Sequence, residues 1–166
     1  MLSQSSRRSD SYRVPKHEAL VAIALRGGEP EELTVFLDPR AAMHPGAERP
    51  SELLLNDHPF LTVKASDGTI RFINKRAIAW MTVALELEMS ARSSSYADHA
   101  MDQCTPIDVT LDDGRIFIGE VSILLPAATS RLQDYLNSSA QFFEVRDAQA
   151  AHFVNRDRVV VVKATE

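Results

Sequence analysis

Phe72-Ile73-Asn74-Lys75-Arg76-Ala77-Ile78-Ala79-Trp80-Met81 returns later in the chain as Phe153-Val154-Asn155-Arg156-Asp157-Arg158-Val159-Val160-Val161-Val162. Each copy reads as the end of one strand, a tight polar turn at asparagine followed by a basic residue, and a second apolar strand. Asparagine suits such a turn because its side chain bonds its own backbone and tolerates unusual φ. The pair points to a tandem repeat.

Working outward, the other landmarks keep their order in both halves. Leu25 matches Leu111, Gly28 matches Gly114, Leu55-Asn56 matches Leu136-Asn137, Phe60 matches Phe142 and Val63 matches Val145. Ala19–Leu25 and Leu33–Leu37 alternate as strands, as do Ile107–Leu111 and the run from Ile116 to Leu125. Asp67-Gly68 marks a hairpin between a strand from Phe60 and its return through Ile73. Gly119 falls where the parity of its strand switches, the place for a sharp bend. Apolar residues continue from Ile78 to Met89 with a parity change between Trp80 and Met81, which predicts one long strand, either bulged or buried on both faces at the switch. Ser51, ahead of Glu52 and three leucines, predicts the cap of a short helix, and Thr129 or Ser130 a second one. The expected division is a polar tail at 1–16, one repeat at 17–89, a linker at 90–105 and a second repeat at 106–166.

Hydrophobic residues form 45% of the chain and charged residues 25%, the mix of an ordinary globular protein. A net charge of -5 gives no general attraction to a phosphate backbone or an anionic membrane. Cys104 is the single cysteine, so no intrachain disulfide is possible and a reducing, cytoplasmic setting is expected. The N-terminal residues lack the apolar stretch of a secretory signal, and no run approaches the roughly 20 apolar residues of a membrane-spanning helix.

The order strand, Asp-Gly-Arg turn, bent strand, two further strands and a short strand after a polar turn resembles the Sm-like fold, a kind of SH3-like barrel. Val109-Thr110-Leu111-Asp112-Asp113-Gly114-Arg115 with Gly119 is similar to the first motif of that family, and Val154-Asn155-Arg156-Asp157-Arg158-Val159 to the second. Lys75-Arg76-Ala77-Ile78 resembles the Lys-His-Ala-Ile segment of the bacterial Sm-type RNA chaperone. Arg156 stands where a turn glycine is usual, and Glu31-Glu32 fall where the first repeat would bend. The resemblance implies a mainly β chain of two tandem five-stranded barrels, each with a short inserted helix. It also implies assembly through strand edges, or RNA binding at the turns.

No phosphate loop, nucleophile elbow or paired-cysteine metal pattern is present in the sequence. Asp98, His99, Asp102 and Cys104 are a weak ligand set, so no metal or other cofactor is expected. His44, His58 and His152 read as solvated surface residues. The candidate ligand or RNA residues are Asn74, Lys75, Arg76, Asn155, Arg156 and Arg158, with a purely structural role for the asparagines as the other reading. The expected function is non-enzymatic: a protein interaction or assembly module, with an Sm-like RNA- or nucleotide-binding protein as the alternative. Its partner is expected to be another protein or a further copy joined through barrel edge strands, with RNA possible, no DNA and no membrane insertion.

Overall fold

The computed structural model describes residues 16–89, 103–123 and 132–165. The expected tail, most of the expected linker, the Thr129/Ser130 cap, and Asp98, His99 and Asp102 lie outside these residues. The strands are β1 (His17–Leu25), β2 (Glu31–Leu37), β3 (Phe60–Lys64), β4 (Ile70–Asn74), β5 (Ile78–Ala84), β6 (Gln103–Leu111), β7 (Ile116–Ile123), β8 (Phe142–Arg146), β9 (Ala150–Asn155) and β10 (Val159–Ala164). Three short helices are α1 (Pro50–Leu55), α2 (Leu85–Met89) and α3 (Leu132–Ser138). The fold is mainly β, and all ten strands join one antiparallel sheet of order β10-β6-β7-β8-β9-β5-β1-β2-β3-β4.

The order runs β5-β1-β2-β3-β4 through the first half and β10-β6-β7-β8-β9 through the second, so corresponding strands occupy corresponding places. Local bonds correspond as well. The first hairpin closes by Gly28 N–H to the Leu25 carbonyl and the second by Gly114 N–H to the Leu111 carbonyl, both 3.0 Å. Gly27 and Gly114 hold positive φ in these turns (70° and 84°), a conformation that glycine adopts without steric cost. Each half also carries a register shift at the same point, between Ala24 and Leu25 on β1 against β5 and between Val159 and Val161 on β10 against β6.

Pairing registers correct one alignment. Val21 faces Leu33 and Ile107 faces Gly119, so the first-half counterpart of Gly119 is Leu33, not the Glu31-Glu32 pair. A Cβ on Gly119 would lie 2.2 Å from the Arg146 carbonyl oxygen, because β7 crosses β8 beside that glycine, where Glu120 pairs with Arg146. Absence of a side chain is therefore a packing requirement at Gly119.

The long strand expected through Met89 ends at Ala84, and α2 takes its last five residues. Alternation of Leu85, Leu87 and Met89 with Glu86 and Glu88 imitates a strand, yet the fully buried residue among these five is Glu88. Its carboxylate accepts from the Ser51 hydroxyl and, at 3.2 Å, from the Ser51 backbone N–H. Ser51 thus lies inside the first turn of α1 and ties that helix to α2, while Glu52 accepts from the Arg49 N–H at 2.7 Å. β6 starts at Gln103, within the stretch expected as linker.

Burial raises the Glu88 pKa; the hydrogen bonds from Ser51 hold that rise back, and the nearby Glu144 carboxylate adds to it. A carboxyl whose folded-state pKa exceeds its unfolded value favours folding at low pH, and that contribution is lost as pH rises through the folded pKa. Glu88→Gln is therefore expected to flatten the dependence of urea midpoint on pH above about 4.5. It is also expected to leave stability at neutral pH at or above that of the parent. A steeper slope in the variant would contradict this assignment.

Two buried clusters line the sheet, and each draws on both halves. The first joins Val21, Ile23, Val35, Val63, Ile78 and Met81 to Phe142, Ala151 and Phe153. The second joins Ile107, Val109, Phe117, Val121, Phe143 and Val145 to Ala24, Ala79 and Trp80. Trp80 meets Phe117 edge-on at 5.4 Å between ring centroids, and the Arg115 guanidinium lies 4.8 Å from its ring.

Candidate interaction edges

The repeated turns are single turns of 3₁₀ helix, Lys75–Ala77 and Arg156–Arg158. Asn74 Oδ1 accepts from the Arg76 N–H and Asn155 Oδ1 from the Asp157 N–H, each at 3.0 Å, so both asparagines cap their turns through the side chain, while their φ of -66° and -69° is ordinary extended backbone and not the unusual φ expected. Their surroundings differ. Asn74 is exposed, whereas Asn155 is 1% exposed and its Nδ2 donates to the Ile78 carbonyl at 2.8 Å, across the meeting of β9 and β5.

Three of the four basic candidates hold the fold. Lys75 is buried and its Nζ donates to the Asn56 carbonyl (3.0 Å) and Oδ1 (2.7 Å), closing the C-terminal end of α1. Burial pulls its pKa below the ordinary lysine value, with Asp57 acting in the opposite direction. Arg156 Nη1 donates to the Ser139 carbonyl at 2.7 Å, the corresponding bond beyond α3. Arg158 pairs with Asp112 at 2.7 Å. Arg76 is exposed and, unlike the other three, has no side-chain hydrogen bond or ion pair among the described residues; Arg156 is exposed too, and its one bond is to a neutral carbonyl. Arg76 lines an open cleft of about 230 Å³ with Asn74, Lys75, Asp57, His58 and Gln141. The cleft thus brings the first turn to the segment ahead of β8, and the six candidates do not converge on one pocket.

The histidines are less uniform than the sequence predicts. His58 is exposed. His44 lies 3.0 Å from the Glu52 carboxylate, and that hydrogen bond, helped by one to the Pro45 carbonyl, raises its pKa. His152 is part-buried: Nδ1 lies 2.8 Å from Thr82 Oγ1, Nε2 lies 3.0 Å from Asp147, and the ring packs on Phe117. The surface expectation for His152 fails because β5 covers β9. Cys104 is exposed, and no group of three or more metal-ligating side chains occurs among the described residues. No helix among them is long and apolar enough to cross a membrane.

The joint between halves is the β5·β9 pairing, Trp80↔Val154, Met81↔Phe153, Thr82↔His152, Val83↔Ala151 and Ala84↔Ala150. Every residue in the first two pairs is buried. The sheet then stops at β4 on one side and β10 on the other. At the β4 edge Phe60, Ile70 and Phe72 are exposed; at the β10 edge Val160 and Val161 are exposed. Natural edge strands are usually blunted by charge, proline or a cover. Here Arg71 is engaged by Glu31 at 2.9 Å, which leaves the aromatic groups beside it uncovered.

Comparison with known proteins identifies no relative: no family model matches the sequence, and neither a curated protein nor a solved structure matches it.

Proposed function

We propose that the chain is a non-enzymatic assembly module in which two small Sm-like barrels, residues 17–89 and 106–166, are joined edge to edge and take up a protein partner at the edges left over. The supporting observation is the apolar surface at the sheet ends, above all Phe60 and Phe72 beside unpaired backbone. Unpaired N–H and C=O groups supply affinity to an added strand, and exposed aromatic anchors supply the central contacts of an interface. A nuclease-treated pull-down with the intact chain is expected to retain a protein partner and to lose it in Phe72→Asp. Retention unchanged in that variant would remove the edge from the reading.

The RNA- or nucleotide-binding reading has support at one place, Arg76 in its cleft. Lys75 is buried on Asn56 and Arg158 is paired with Asp112, which leaves Arg76 and Arg156, on two separate turns, as the charges that could meet phosphate. Fluorescence anisotropy with single-stranded RNA at low salt is expected to show no more than weak binding, unchanged by Arg76→Ala. Tight binding with a steep salt dependence that Arg76→Ala abolishes would reverse the order of the two readings.

A further inference from the structure

We infer that α1 is a latch on the first basic turn: it docks and opens as one piece, and docked it withholds Lys75 from solvent while Arg76 beside it stays exposed. The inference stands apart from the edge reading, since it uses neither Phe60, Phe72 nor β10.

Both ends of α1 are fastened by buried ionisable side chains from elsewhere in the chain. At its start Ser51 gives its hydroxyl and its backbone N–H to Glu88, which is 0% exposed. At its close the Asn56 carbonyl and Oδ1 take the Lys75 ammonium, which has no other hydrogen bond among the described residues. Little else holds the helix: Leu54 is buried in the first cluster and Leu53 borders it, while Leu55 is exposed. A helix this short does not persist alone in water, so docking and helix formation stand or fall together. Six residues rise only about 9 Å, and loss of the Glu88 fastening is therefore felt at Asn56. Opened, the turn presents Lys75 and Arg76 side by side. The second half has no such cover: Arg156, the counterpart of Lys75, is exposed although it reaches the Ser139 carbonyl beyond α3, and α3 has no buried residue.

The charges around α1 set how often it opens. Burial pushes Glu88 toward its neutral form against the two Ser51 bonds; Glu144 on β8, paired with Arg146, adds to that push, and Arg49, 3.6 Å from Glu52, opposes it. Opening returns Glu88 to water and to an ordinary carboxyl pKa. It therefore releases a proton, and it becomes more frequent as pH rises from about 4.5 to the docked pKa. His44, raised by its bond to Glu52 and by one to the Pro45 carbonyl, acts in the same direction. Glu52, whose burial is outweighed by its bonds to Arg49 and His44, titrates below that window. Lys75, lowered by burial with Asp57 opposing, acts from the alkaline side with the opposite sign.

Amine acylation of the full chain between about pH 5 and 8, mapped by mass spectrometry, tests the latch, with exposed Lys163 as internal standard. Lys75 is expected to react about tenfold or more slowly than Lys163 at the acid end, and the ratio to climb with pH by at most about tenfold per unit. Glu88→Gln, neutral throughout, is expected to hold the ratio low and to remove the climb, apart from the share that His44→Gln removes. Ser51→Ala, which takes one donor from the buried carboxylate, is expected to raise the ratio about tenfold at neutral pH. Should that variant fold poorly, Glu88→Gln still decides. Hydrogen exchange of the α1 amides, compared between wild type and variants at each pH, is expected to change together with Lys75. Equal reactivity of Lys75 and Lys163, a wild-type ratio indifferent to pH, a climb that survives the double substitution, or α1 amides that open without Lys75 would each overturn the inference.

Discussion

Phe153→Ala is expected to destabilise the chain by about 3–5 kcal/mol, the range for removing a buried phenylalanine from a packed core. The corresponding substitution Phe72→Ala is expected to change monomer stability by about 0.5 kcal/mol or less, as surface substitutions usually do. The two residues hold the same place in their halves, and they differ only in whether a neighbouring strand covers them. Urea denaturation of the two single substitutions, at one low protein concentration, compares them directly. Equal costs would mean that Phe72 is already packed within the chain and would undo the argument for an open edge.

Gly119→Val is the second large effect. Its Cβ would lie 2.2 Å from the Arg146 carbonyl oxygen, and that oxygen belongs to backbone paired in β8, so it cannot rotate aside as a flexible side chain can. Overpacking of this kind costs about 3 kcal/mol at the upper end of its usual range. For a chain of this size that lowers the melting temperature by about 6–12 °C. Gly68→Ala gives a contrast: nothing lies within 4 Å of its Cβ, so any cost there comes from its φ of 83° alone. A Gly119→Val melt no lower than that of Gly68→Ala would show that β7 and β8 separate easily at this point.

Local chemistry made most strands legible in advance. The Asn74 and Asn155 turns and the Asp67-Gly68 hairpin follow from residues acting within a few positions of themselves, whereas Gly119 was marked by its parity switch alone and the carbonyl that forbids a side chain there belongs to distant Arg146. What escaped notice depends on distant partners. Nothing near Glu88 in sequence announces Ser51, so its burial, and with it the helix in place of a longer strand, was hidden by a pattern that alternates like a strand. Lys75 read as a candidate for phosphate because its bond to Asn56 forms only when α1 is in place. His152 read as a surface residue because the strand that covers it, β5, comes from the other half. One sequence signal for the joint was available: Ile78-Ala79-Trp80-Met81 is apolar without interruption, which marks a strand covered on both faces and not a barrel margin.

The sharing of buried clusters between halves has a consequence for the nascent chain. When β5 leaves the ribosome, the first cluster still lacks Phe142, Ala151 and Phe153, which are synthesised only about 60–70 residues later. At roughly 5–20 residues per second that is a delay of several seconds, during which Ile78 and Met81 have no cover from β9. Trp80 waits as well, since the second cluster that receives it is translated afterwards. The N-terminal portion therefore emerges with these apolar groups uncovered, and slower translation between β5 and β9 would lengthen its exposure to aggregation.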